Sequence, residues 1–143
     1  MAQTKGDLIL LVDDDPTGRS VRKLVLEAHR HNVVAVGEAQ LALRTLQSEA
    51  IELVILDYFL DGITGTELAK RMRQVKPTVP ILLLSGSADV PEGIEHVDDY
   101  LSKLEPVAVV EKKIAQLLRE RGSRRGPEKQ VLLPKMEPKR VAT

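Results

Sequence analysis

Apolar residues fall along the chain in short solid runs that alternate with longer stretches of helical spacing. The most continuous run, residues 51–57, reads I-E-L-V-I-L-D. Apolar side chains on both alternating faces predict a strand buried under helices on both sides of a parallel sheet. Residues 8–12, 33–36 and 81–84 repeat the pattern, and a shorter strand is predicted near 99–101. Between the runs the spacing turns helical. Asp15 can cap a first helix with Pro16 at its first position, where the missing N–H costs nothing; Val21, Leu24, Val25 and Ala28 give that helix one apolar face. Ala39, Ala42, Leu43 and Leu46 form the inward stripe of a second. Thr64-Gly65-Thr66-Glu67 has the form of a capping box for a third, which carries Leu68, Met72 and Val75 inward and ends before Pro77. Pro91 and Gly93 interrupt the place of a fourth, so residues 87–97 are expected to hold only a short or irregular helix. A last helix can start at Glu105 and Pro106, turn Val107, Val110, Ile114 and Leu117 inward, and stop at Gly122.

Five strands and about five helices in alternation call for an α/β fold, a doubly wound five-stranded parallel sheet. At 143 residues the chain suits one domain, expected over 7–121 behind a flexible N-terminus at 1–6. From Gly122 the composition shifts to charge and proline. So little apolar content cannot offset ordering entropy, and 122–143 is expected to be a basic, disordered tail. The net charge of zero hides this asymmetry: from Arg119 onward 8 basic residues face 3 acidic ones, a net of +5, leaving −5 on residues 1–118. The chain has no cysteine, which excludes disulfides and thiolate metal sites. No apolar stretch approaches the roughly 18 residues of a membrane span, and the first residues lack a signal peptide's apolar region, so a soluble, cytoplasmic protein is expected.

The strand ends carry the chemistry. In open α/β sheets ligands bind beyond the carboxyl ends of the strands. There the first run leads into Asp13, Asp14 and Asp15, the central one ends in Asp57, the fourth leads into Ser85, and the last into Lys103. Carboxylates meeting at one edge repel each other unless a cation sits among them, and oxygen donors without His or Cys favour a hard ion such as Mg2+. With Lys103 and the Ser85 hydroxyl added, the pocket suits a phosphoryl group. A carboxylate can attack phosphorus to give an acyl phosphate while cations neutralise the transferring oxygens.

The segments L-I-L-L-V-D-D-D-P, L-V-I-L-D-Y-F-L-D-G-I-T-G-T-E-L, I-L-L-L-S-G and D-D-Y-L-S-K resemble, in this order, the receiver domain of two-component response regulators over residues 7 to about 120. The resemblance implies a flavodoxin-like fold with strand order 2-1-3-4-5. It makes Asp57 the phosphoacceptor, with Asp13, Asp14, Asp57 and the carbonyl of Phe59 holding Mg2+. Ser85 becomes the switch hydroxyl, Lys103 the phosphoryl-binding lysine, and Tyr100 the aromatic that follows the state of Ser85. It also implies a stand-alone, phosphoprotein-type switch that takes its phosphoryl group from a sensor histidine kinase or phosphotransfer protein and passes the signal to a downstream protein partner, as a monomer or weak dimer. Such a protein catalyses only its own phosphorylation and dephosphorylation and is no enzyme with an external substrate. Three positions depart from the family: Leu104 follows the lysine where proline is usual, Asp61 replaces the usual proline after the phosphoacceptor, and the interval from Ser85 to Lys103 is about one helical turn short.

Two other readings stay open on the residues alone. Asp13-Asp14-Asp15-Pro16-Thr17 also fits the D-x-D-x-T motif of haloacid dehalogenase-like phosphatases, with Asp13 as nucleophile, Asp15 as acid/base, and Ser85, Lys103, Asp98 and Asp99 as nominal further parts. A helix starting directly at Pro16 leaves no room for that family's flap. The other reading is a receiver-shaped interaction module that is never phosphorylated. Nucleic acid is not an expected partner, because the basic tail has no aromatic residue for stacking.

Overall fold

The computed structural model describes residues 7–86 and 89–123. Its main sheet contains β1 (Leu8–Val12), β2 (Asn32–Val36), β3 (Leu53–Asp57), β6 (Ile81–Ser85) and β7 (Asp99–Ser102), all parallel, in the order β2-β1-β3-β6-β7. Counting only these five strands, the order is 2-1-3-4-5, the doubly wound arrangement. A hairpin of β4 (Phe59–Leu60) and β5 (Ile63–Thr64) follows β3, turning at Gly62 with a positive φ of 81°. The helices are α1 (Pro16–Ala28), α2 (Ala39–Ser48), α3 (Gly65–Val75) and α4 (Val107–Ser123).

The alternation of each central strand splits the core into two layers. Leu10, Val12, Val54, Leu56, Ile81 and Leu83 pack on one face with Ala42 and Leu46 of α2 and Leu68, Ala69 and Met72 of α3. Ile9, Leu11, Leu53, Ile55, Leu82 and Leu84 pack on the other with Leu26 of α1 and Ile114 and Leu117 of α4. Both faces of β1, β3 and β6 are therefore dry, which is why their runs are nearly solid in apolar residues.

Three helical details differ from expectation. In α1 the buried residue is Leu26, while Val21 and Leu24 are 55% and 66% exposed and Ala28 lies open. The helix is rotated so that Leu26 enters the core, with Val25 and, one turn before Leu26, Arg22 half-buried. An arginine stem covers apolar surface as a leucine would, which the apolar pattern does not register. In α4 Val107 occupies the first turn and stays 42% exposed, whereas Val110 is half-buried and Ile114 and Leu117 are buried. The helix also runs through Gly122 to Ser123 instead of stopping at the glycine. Where only a short or irregular fourth helix is expected, the described residues do hold no more than a single 3-10 turn, Ile94–His96, entered through Gly93 at φ 84°. Pro91 is buried. The expectations for residues 1–6 and 124–143, and for positions 87 and 88, lie outside the described residues.

Candidate functional site

Local hydrogen bonds carry the strand-end residues to one edge. The Asp13 backbone N–H donates to the Val36 carbonyl at 3.1 Å, prolonging the β1–β2 ladder by one step. Arg19 Nη1 donates to the Asp13 carbonyl at 2.8 Å, and the Asp15 backbone N–H donates to Asp13 Oδ1 at 3.0 Å. The Asp15 carboxylate is engaged in the helix cap, accepting from the Gly18 N–H at 2.9 Å. That engagement leaves Asp15 ill placed for the acid/base role of the dehalogenase-like reading, and α1 starts at Pro16 with no flap before it.

Asp57 closes β3. A Cβ at position 65 would collide with the Asp57 carbonyl, so only glycine lets α3 start this close to the strand end. The Gly65 N–H donates to the Tyr58 carbonyl at 2.5 Å, and Thr64 Oγ1 caps α3 by accepting from the Glu67 N–H at 3.2 Å. Lys103 follows β7, and its backbone N–H donates to the Ser85 carbonyl at 2.8 Å. Its Nζ donates to Asp57 Oδ2 at 2.8 Å. Asp13, Asp57 and Ser85 are all but closed to solvent, at 2%, 3% and 2% exposure.

The carboxylates of Asp13, Asp14 and Asp57 lie within 4.8 Å of one another. Burial pushes the Asp57 carboxyl up to about 7; the Lys103 ammonium works against that shift and the neighbouring Asp13 adds to it. The all-oxygen donor set of Asp13, Asp14 and Asp57 suits a hard divalent ion.

The remaining predicted residues sit around this cluster. Tyr100 is half-buried on β7, in register with Leu83, and packs on the core layer shared by Ile94 and Val97. The Phe59 side chain is 69% exposed and meets Tyr58 edge-on at 4.8 Å, while its backbone pairs with Thr64 in the hairpin. Leu104 is 87% exposed after a trans peptide bond, and its N–H donates to Ser102 Oγ at 3.0 Å. Two supporting residues were not foreseen. Arg19 is marked in the sequence only as a basic residue six positions after Asp13. Thr66, read as part of a cap, instead donates Oγ1–H to the Glu92 carbonyl at 2.7 Å and so ties the start of α3 to the segment before the 3-10 turn.

Three clustered carboxylates and a lysine thus stand at one edge of a five-stranded, doubly wound parallel sheet. Residues 9–115 match the response regulator receiver domain, and the chain belongs to that family. Similar curated proteins include the transcriptional regulatory proteins AfsQ1 of Streptomyces coelicolor, 33% identical over 81% of this chain, and CseB of Streptomyces avermitilis, 32% identical over 83%. The chain spans about half of each of them, 52% of their length. Among solved structures, a putative response regulator from Chloroflexus aurantiacus is 30% identical with a TM-score of 0.75, covering 80% of this chain and 99% of that one. The response regulator TrrA of Thermotoga maritima, solved in complex with Mg2+ and BeF, is 28% identical with a TM-score of 0.73, covering 78% and 98%. No helix among the described residues is long and apolar enough to cross a membrane.

Proposed function

We propose that this receiver domain takes a phosphoryl group onto Asp57 in a Mg2+-dependent reaction and uses it to switch a protein-binding surface. The observation that carries the reading is the contact of the buried Asp57 with Lys103 at 2.8 Å beside two further carboxylates. Asp13, Asp14 and Asp57, with the Phe59 carbonyl, would hold the ion. Bound there, Mg2+ supplies positive charge for the phosphoryl oxygens as they move between donor and acceptor.

An Asp57 oxygen attacks phosphorus as the P–N bond of a donor phosphohistidine breaks, leaving the imidazole and an acyl phosphate. Lys103 exchanges its contact with the carboxylate for one with the phosphoryl oxygens, and Ser85, at the end of the neighbouring strand, offers them its hydroxyl. Attack by water on phosphorus then breaks the P–O bond to Asp57, releasing inorganic phosphate and returning the carboxylate. Turnover is confined to the protein's own aspartate. The donor is a histidine kinase or phosphotransfer protein, with a small acyl phosphate as a slower substitute. The readout is a downstream protein, reached through Ser85 and the half-buried Tyr100. The relatives named above are transcriptional regulatory proteins, so an output on nucleic acid is compatible with this chemistry as well.

Incubation with acetyl phosphate and Mg2+ followed by intact-mass measurement tests the reading. One added phosphoryl group is expected, lost in Asp57→Asn and reduced to a trace in Asp14→Ala or with a chelator. Label that survives in Asp57→Asn would move the acceptor elsewhere. No label on the native chain from either kind of donor would leave the module that is never phosphorylated.

A further inference from the structure

The face of the sheet covered by α1 and α4 carries an apolar groove. A cavity of about 250 Å³ opens between the two helices, with Val21 and Val25 on one wall and Val107 and Val110 on the other. Val21 and Val107 stay 55% and 42% exposed. The volume falls below the ~300–1,000 Å³ of sites that enclose a drug-sized ligand, and suits side chains inserted from a covering segment. Of the charged groups around it, Lys103 is held by Asp57 and Glu111 Oε1 lies 2.8 Å from His31 Nε2. Arg22 is half-buried, and Glu105 is exposed just before α4.

What can cover the groove follows from where α4 ends. The helix starts just after Lys103, at the edge that carries Asp57, and runs to the opposite edge, where Arg121 Nη1 meets Glu52 Oε2 at 2.9 Å just before β3. Beyond Ser123 the sequence continues to Thr143 and contains one solid apolar stretch of three residues, V-L-L at 131–133. Val131 is the eighth residue after Ser123, so it reaches about 26–29 Å from the helix end when extended. The way back along α4 to Val107 is about 24 Å. The stretch can therefore meet the valines of the groove. Charge points the same way. A segment climbing α4 brings Lys135, Lys139 and Arg140, which follow V-L-L, toward Glu105 and the acidic strand ends. Residues 124–143 carry 6 basic against 2 acidic side chains, while residues 1–118 are net negative. A tether this short also holds the stretch at an effective concentration on the order of millimolar, so a contact too weak to form between separate molecules forms within the chain. We propose that residues 131–133 dock in the groove between α1 and α4, making it a self-occupied surface that any partner approaching Lys103 from that side has to clear.

The chain has no cysteine, so an introduced pair reports this contact alone. Val21→Cys with Gln130→Cys, which leaves V-L-L whole, should form a disulfide within one chain under mild oxidation, read by intact mass and non-reducing electrophoresis. Adding Leu133→Asp, or Val107→Asp on the other wall, leaves tether and thiols unchanged and should slow the bridge at least about tenfold, the effect of roughly one good apolar contact. In the full chain without cysteines, Leu132→Asp with Leu133→Asp should move the proton–nitrogen signals of Val21, Val25, Val107 and Val110 and leave those of α2 and α3 in place. None of these readouts involves Asp57, so they are independent of the phosphoryl chemistry. A bridge that forms equally fast with and without the aspartates, or groove signals that stay in place, would overturn the proposal. Bridges found only between two chains would assign the groove to residues 131–133 of a second copy and overturn docking within one.

Discussion

At the scale of single residues, the acidic cluster depends on side chains that never enter it. Arg19 holds the Asp13 carbonyl, fixing the turn on which Asp13 and Asp14 are carried, and its guanidinium lies against Gly37 with no space for a Cβ between them. Residues that orient metal ligands are typically worth about 10–100-fold in metal affinity. Arg19→Ala should therefore weaken Mg2+ binding by about tenfold in calorimetric titration, and Arg19→Lys should recover part of it as a single donor without the fork. Gly37→Ala should act in the same direction, because the new methyl group displaces the guanidinium from its carbonyl. Unchanged Mg2+ affinity in Arg19→Ala would show that the turn holds its shape without this bond.

At the scale of elements, legibility follows the strength of the local signal. The strands β1, β3 and β6 are readable because both their faces are buried, and the strand-end carboxylates follow from their register. The face of α1 is misread because a half-buried arginine stands one turn before Leu26 where the pattern looks for an apolar residue, and Val107 is misread because helical spacing does not say which turns of a helix lie over the core. The hairpin of β4 and β5 leaves only Asp61-Gly62 as a trace, since two-residue strands have no periodicity. Pro91 and Gly93 do foretell the loss of a regular fourth helix, but not what replaces it. The replacement is a 3-10 turn held by the Thr66 hydroxyl on the Glu92 carbonyl, with Ile94 and Val97 packed on the core. Thr66→Val should remove about 1 kcal/mol of local stability and speed amide exchange over residues 92–97 more than elsewhere. Gly93→Ala should do more harm, because φ is 84° and the added Cβ would come within 2.7 Å of Thr66 Oγ1. Comparing exchange with and without beryllofluoride then asks whether this segment reports the phosphoryl state. Protection gained at 92–97 together with the Asp57 edge makes it part of the output surface, while changes confined to Asp57 and Lys103 remove it from that role.

At the scale of the whole molecule, the cluster opposes folding near neutral pH, and the sign of that effect distinguishes it from ordinary carboxylates. The Asp57 carboxyl is raised from 3.8 to about 7 in the folded chain, chiefly by burial. Between those values the folded protein keeps a proton that the unfolded chain has released. The contribution of Asp57 to stability is therefore complete below the unfolded value, declines as pH rises, and is lost once pH passes about 7. A paired surface aspartate behaves in the opposite way, losing its contribution as pH falls. In chelator, Asp57→Asn should consequently be more stable than the native chain at about pH 8, by on the order of a few kcal/mol, and the gap should close toward about pH 4. Mg2+ should raise the melting temperature of the native chain at the higher pH, since an ion bound only by the folded state stabilises it, and should do little for Asp57→Asn. Denaturant midpoints measured across this range, with and without Mg2+, decide the matter. Parallel pH profiles for the two proteins in chelator would mean that Lys103 fully offsets the burial of Asp57, and that the folded chain tolerates its acidic cluster without a cation.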